Sequence, residues 1–419
     1  MWQKKFLGRI SKILASLALM LILSGGATAG TYEILHVFQW AKNPTGSLTF
    51  DGAGNLYGTT ALGGGHNCGI VFKLHRNPNM TSTYSILYGF KGGTEGCYPT
   101  WGVIFDAAGN LYGVTQWGGS GSCSNGSLVG CGFVFKLKPN PDGTWSESVL
   151  YSFTGGADGS QPANVRLVFD SAGNLYGTTS GGGAYNYGTV FELKPQPDGT
   201  WTENVLHSFD RTDGENPLAG LIFDAAGRSL YGTTFRGGAG GGPACGEPSG
   251  CGTVFKLTPN SSGTWTESVL YRFTGGADGA TPLNLIFDSA GNLYGTTVFG
   301  GGGSGVAFRL APNPDGTWAE SVLYTFTGGG DGGNPMGGLT FDVAGVDLYG
   351  TTFYGGTNKY GLVFKLSPSS GGWTETVLYS FVGYGRNPQA SVIFDPSGNL
   401  YGTTTTGSNN YGLVFEITP

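Results

Sequence analysis

The feature that most constrains this chain is one stretch that recurs seven times. Its clearest copy is Phe169-Asp170-Ser171-Ala172-Gly173-Asn174-Leu175-Tyr176-Gly177-Thr178-Thr179. The tyrosines of its Tyr-Gly-x-Thr core are Tyr57, Tyr112, Tyr176, Tyr231, Tyr294, Tyr349 and Tyr401, spaced 55, 64, 55, 63, 55 and 52 residues apart. A sustained period of this length means a repeat architecture, and it overrides the two or three domains that 419 residues would otherwise suggest.

Each unit carries four strand-like runs, a to d. In the third unit they are residues 166–170, 175–179, 188–193 and 201–209. The a–b turn places Asp170 where its carboxylate can accept backbone N–H groups, and Gly173 where a left-handed conformation is needed. Units four and six carry one extra residue there. The c–d connection recurs as Pro-Asp-Gly-Thr-Trp, starting at Pro141, Pro197 and Pro314. Strands b and c are apolar on both sides, which implies sheets covered on both faces. Glycine is abundant, at 80 residues, but it is interleaved with aromatics, which make up 13% of the chain. That pattern fits short strands and tight turns rather than a disordered linker.

The predicted fold is therefore an all-β, seven-bladed β-propeller with four antiparallel strands per blade. Residues 31–38 match strand d, and the sequence stops after a strand c at residues 413–417. The N-terminal strand d is thus expected to join C-terminal strands a–c and close the ring, leaving no free sheet edges. An open solenoid would leave the missing fourth strand unexplained.

The Phe-Asp-x-Ala-Gly-Asn-Leu-Tyr-Gly-Thr-Thr, Gly-Thr-Val-Phe-Lys-Leu and Val-Leu-Tyr-Ser-Phe motifs resemble the GloVer tandem-repeat family of bacterial exported proteins, over about residues 31–419. More loosely, the arrangement looks like NHL-type propellers. The resemblance implies an exported repeat protein of unestablished activity. Many members carry a C-terminal surface-sorting anchor. No spacer or tail follows the last strand here, so a released form is the expectation.

Compartment is read from the first 29 residues. Lys4, Lys5, Arg9 and Lys12 precede an apolar run at residues 13–23, and Ala27-Thr28-Ala29 offers a small-x-small cleavage site. Residues 1–29 are expected to be a signal peptide and residues 30–419 a single propeller, secreted, periplasmic or at the cell surface, with no membrane span after cleavage. Cleavage would remove four of the 21 basic residues and none of the 27 acidic ones, leaving 17 against 27. That balance disfavours nucleic acid as a partner. A monomer is expected.

Blade topology puts a–b and c–d turns on one face of the disc, and b–c and d–a loops on the other. The first set is repetitive and reads as scaffold. The second set varies, with insertions at residues 120–130 and 240–250, and variable loops on a rigid frame are where binding usually sits. All six cysteines fall on that face. An even count in an exported chain predicts disulfides, and the loop positions predict Cys68–Cys97, Cys123–Cys131 and Cys245–Cys251. Aromatics cluster there as well. Trp117, Tyr185, Tyr187, Phe235, Phe299, Tyr354 and Tyr360 are the candidate ligand-binding residues, with packing between blades as the competing explanation. Trp145, Trp201, Trp265, Trp318 and Trp373 recur at one repeat position and read as packing residues. The d–a loops carry Glu95, Asp158, Asp213, Asp278 and Asp331; one carboxylate per loop is too few for calcium, so these read as turn residues.

No catalytic residue, cofactor or metal site is predicted. His36, His66, His75 and His207 form no cluster in sequence, and no nucleophile, phosphate-loop or dinucleotide motif has its required context. The expected function is a non-catalytic extracellular binding module for glycan or an envelope protein. Alternatives are a polysaccharide hydrolase or lyase with carboxylates in the central channel, or a structural surface protein.

Overall fold

The computed structural model describes residues 30–77, 81–162, 166–238, 245, 249–407 and 411–419. The proposed signal peptide, residues 1–29, and most of the second insertion lie outside the described residues. The chain forms seven four-stranded antiparallel sheets arranged as blades, each in the order a-b-c-d, with a innermost. Blade 1 spans residues 49–89, blade 2 97–152, blade 3 168–208, blade 4 222–272, blade 5 280–325, blade 6 340–380, and blade 7 393–418 together with 31–37.

Each repeat residue has a mechanical role. In blade 3, Asp170 Oδ1 accepts the backbone N–H groups of Ala172 and Asn174, both at 2.9 Å. Its Oδ2 accepts Asn174 Nδ2 at 2.7 Å and the Tyr176 hydroxyl at 3.0 Å. Burial pushes this carboxyl up, but the bonds from Asn174, Tyr176 and Ala172 outweigh it, and the net is below the ordinary carboxylate value. Gly173 holds φ +85° to complete the turn. Asp51, Asp106, Asp288 and Asp395 repeat this four-donor cap. In blades 4 and 6 the turn carries an extra residue; Asp224 accepts the backbone N–H groups of Arg228 and Ser229 together with the Ser229 side chain, and Asp342 accepts those of Val346 and Asp347.

Behind the tyrosine, Gly177 faces Phe191 across the b–c pair, and a Cβ there would stand 2.6 Å from the Phe191 ring. The two threonines then fasten the sheet. Thr178 Oγ1 donates to the Pro217 carbonyl, at the entry to blade 4, while Thr179 Oγ1 donates to the Gly181 carbonyl and turns the chain into the b–c loop.

Strand d of every blade carries a bulge, and the extra residue is always the Leu of Val-Leu-Tyr or its equivalent, such as Leu150 between Val149 and Tyr151. A bulge re-aims a side chain. Here it turns Leu150 against the apolar core between blades 2 and 3, which contains Tyr112, Phe153, Leu175 and Phe191. Seven such cores alternate with the sheets around the ring.

The ring closes as the sequence predicts. Thr31–Val37 pairs antiparallel with Leu413–Thr418. Phe38 enters the core between blades 7 and 1, and Arg76 of blade 1 bridges Glu33 (2.7 Å) and Glu416.

Candidate functional site

The a–b and c–d turns form a face with little left to offer a ligand. Asp142, Asp198 and Asp315 of the c–d turns are each taken up by the following Thr144, Thr200 or Thr317, through both its N–H and its hydroxyl. With the a–b carboxylates likewise occupied, this side is scaffold.

The opposite face is built from b–c and d–a loops. All three predicted disulfides are present, and there is no free cysteine. Cys68–Cys97 ties the b–c loop of blade 1 to the segment entering blade 2. Three of the five d–a carboxylates are turn residues, though by a longer reach than a simple Asp-Gly turn, whereas Glu95 pairs with Lys91 and Asp213 with His207. Asp158 accepts Thr154 N and Oγ1 and the Tyr151 hydroxyl; Asp278 and Asp331 repeat this with Thr274 and Tyr271, and with Thr327 and Tyr324.

The seven candidate aromatics separate into three groups. Tyr185, Phe299 and Tyr354 are exposed, at 60%, 45% and 51%. Tyr187, Phe235 and Tyr360 are half-buried. The Arg211 guanidinium lies 4.6 Å over the Tyr187 ring, and that of Arg386 lies 4.1 Å over Tyr360, so these two rings already have cationic partners from the adjoining d–a loops. Trp117 is a correction to its expected availability: it is only 5% exposed. Strand b of blade 2 runs on to Trp117, which pairs with Cys97 of the added strand Cys97–Pro99, while Gly118 N–H bonds to the Val129 carbonyl as the insertion folds back.

Two exposed aromatics on this face were not anticipated. Trp40 (81%) and Tyr384 (65%) sit in the d–a loops leading into blades 1 and 7. The sequence signal was present, since both follow a strand-d phenylalanine, but these two d–a loops lie outside the b–c loops from which the candidate aromatics were drawn. Trp40 lines a groove of about 290 Å³ with His36, Tyr84 and Ile86. Burial pulls the His36 imidazole down to about 4, so it is neutral at neutral pH. Every exposed aromatic ring among the described residues lies on this one face.

The second cavity is the central channel, about 290 Å³, walled by the a strands. Ser47, Trp101, Arg166, Asn284 and Ser391 contribute side chains; Asn284 Oδ1 accepts the Gly220 N–H at 3.2 Å. Arg166 is the one charged lining residue among the described residues. It is exposed towards the channel, yet protein packs closely around it, and that desolvation pulls the guanidinium below its ordinary value. No carboxylate lines this cavity among the described residues, contrary to the expectation attached to a channel hydrolase.

The fold also brings together ligating side chains that are far apart in sequence. At the outer rim between blades 3 and 4, one donor atom each from His207, Asp213 and Glu267 lie within 4.8 Å of one another. His207 is therefore not isolated, as the sequence reading had it. His207 and Glu267 come from strands d of neighbouring blades and Asp213 from the loop between them, and only the ring order brings Glu267 to the other two.

A closed ring of seven blades with one loop-rich, aromatic face defines a β-propeller. The chain belongs to the Gloeobacter/Verrucomicrobia repeat family, whose sequence profile matches residues 120–246 and 241–419. No curated protein matches it. Among solved structures it is similar to a candidate 6-phosphogluconolactonase from Bacteroides uniformis, with a TM-score of 0.53, 14% identity, and coverage of 84% of this chain and 92% of that one. It is also similar to a hypothetical selenium-binding protein from Sulfolobus tokodaii, with a TM-score of 0.52, 10% identity, and coverage of 77% and 74%. At these identities the likeness is one of fold.

Proposed function

We propose that this protein is an extracellular binding propeller that takes glycan on its b–c/d–a face. The observation that carries this reading is the gathering of Trp40, Tyr185, Phe299, Tyr354 and Tyr384 on that face, with the other face free of exposed rings among the described residues. An exposed ring costs solvation unless a ligand covers it, and a flat ring beside glycine-rich backbone suits the apolar face of a sugar. The three disulfides support an oxidising compartment. The test is a glycan array with the intact protein, repeated with Tyr354→Ala and Trp40→Ala. Loss of the hits in the double variant supports the reading; unchanged hits refute it.

Arg166 favours a second reading, in which a small oxyanion-bearing ligand enters the channel. A sugar-acting enzyme, the activity class suggested by the lactonase neighbour's name, would work there. Paired-acid hydrolysis draws no support from the channel, whose lining among the described residues offers a cation and hydroxyls but no carboxylate. Arg166→Gln would abolish binding of such a ligand and leave face-bound glycan untouched.

A further inference from the structure

One blade junction departs from the repeat in two ways at once. In blades 1, 2, 4, 5 and 6, the residue two before the closing phenylalanine of strand d is tyrosine: Tyr88, Tyr151, Tyr271, Tyr324 and Tyr379. In blade 3 it is His207. Tyr151, Tyr271 and Tyr324 donate a hydroxyl proton to the carboxylate of their own d–a loop. His207 offers a ring nitrogen instead, with Nε2 2.8 Å from Asp213 Oδ2. Second, the loop replaces the threonine of Phe153-Thr154 with Asp210 and is one residue shorter before its carboxylate. Asp213 Oδ1 accepts the Asp210 N–H at 3.0 Å, which leaves Oδ2 directed at the imidazole. Glu267 of blade 4 adds a carboxylate whose Oε1 is sealed from solvent and has no hydrogen-bond partner, as is equally true of Glu147, Glu203, Glu320 and Glu375; among the described residues it is Glu267 that meets an imidazole and a second carboxylate.

We propose that His207, Asp213 and Glu267 form a transition-metal site of the zinc class, joining blade 3 to blade 4. The donor set is one imidazole and two carboxylates, which suits zinc; calcium would want six or more oxygens and no imidazole. Tetrahedral zinc holds its ligand atoms about 3.3 Å apart, so the His207–Asp213 pair need open by only about half an ångström. The Phe209 ring, edge-on at 4.8 Å, fixes the imidazole plane. Local charge favours a cation. Asp210, Asp213 and Glu267 stand together, opposed by the exposed Arg272, while Arg211 is engaged by Glu215 at 3.3 Å and by the Tyr187 ring. Water would complete the coordination.

The other histidine at this repeat position, His36, supplies the contrast. Its neighbour in the next blade is Tyr84, stacked at 4.1 Å where blade 4 has Glu267, and no carboxylate follows it in the d–a loop. Among the described residues, the ligand set is complete only at the blade 3–4 junction.

The experiment is zinc titration of the chelator-stripped, disulfide-intact protein, read by calorimetry and by thermal unfolding. One zinc per chain and a higher Tm are expected. His207→Tyr installs the residue that five other blades carry, so the fold is kept, and it should weaken zinc by about 100-fold or more and abolish the Tm rise. Glu267→Gln, close to isosteric, should weaken zinc by about 10-fold or more. Glu203→Gln, at the neighbouring junction, and His66→Ala should leave it unchanged. Absence of binding by the parent protein, or undiminished binding by His207→Tyr, overturns the proposal.

Discussion

Asp106→Ala tests whether the repeated aspartate is a structural cap. Asp106 accepts Ala108 N and Asn110 N, both at 2.9 Å, Asn110 Nδ2 at 2.7 Å and the Tyr112 hydroxyl at 2.9 Å. These donors do not cost the same when abandoned. Ala108 is exposed and rehydrates. Tyr112 is 4% exposed, and Asp106 is the one acceptor its hydroxyl has among the described residues. Stranding that hydroxyl costs about 1–3 kcal/mol, and losing the charged acceptor for the Asn110 groups adds roughly another 1.5. We expect Asp106→Ala to cost about 3–4 kcal/mol, Tyr112→Phe about 1, and the double variant less than the sum by about 1–2 kcal/mol. The assay is urea unfolding followed by tryptophan fluorescence at fixed pH. Blade 3 is the internal comparison: the Tyr176 hydroxyl keeps Glu192 at 2.7 Å, so Asp170→Ala should cost about 1 kcal/mol less. Additive effects in the blade 2 cycle, or equal costs in the two blades, would refute the capping argument.

Two further expectations concern pH and redox state. Burial, then the like charge of Asp158, pushes Glu203 up to about 7, and Glu320 and Glu375 rise likewise beside Asp278 and Asp331. Between the unfolded value near 4.3 and about 7 the folded state binds more protons, so stability falls as pH rises through that window. The turn aspartates are depressed, so their contribution is complete above about 3.9 and fades as pH falls through their folded values. Tm should therefore peak at roughly pH 5, and Glu203→Gln should flatten the decline from pH 5 to 8; an unaltered slope would count against the carboxylate pairs. Replacing Cys68 and Cys97 by alanine opens a 29-residue loop and should cost up to about 3.6 kcal/mol, measured against the parent under non-reducing conditions.

Most of the architecture was legible because each repeat residue answers a local question. The glycine–asparagine turn, the Tyr-Gly-x-Thr strand and the bulged strand d specify a blade whatever the neighbours are, and blade parity then assigns every loop to a face. That reasoning reached the Cys68–Cys97 bridge across two units. It failed where one unit borrows from another. Trp117 looked like a loop residue, but it is strand, because residues 97–99 from the incoming segment add to its sheet and the insertion covers it. Tyr187 and Tyr360 looked free because the arginines above them come from loops two strands later. Glu267 gave no sign of meeting His207, sixty residues earlier, until strand d of one blade was set beside strand d of the next.

The clasp in blade 7 has a consequence for how the molecule is made. Its outer strand, Thr31–Val37, leaves the ribosome well before its partner Leu413–Thr418, with six blades synthesised in between. The earliest strand must wait unpaired, with Phe38 unburied, while the rest of the chain emerges, and that delay is an opening for misassembly between molecules. The same arrangement brings the two ends together at one rim. A short linker there and a new break in a d–a loop, between two blades, would give a permuted ring in which every blade is made from consecutive strands.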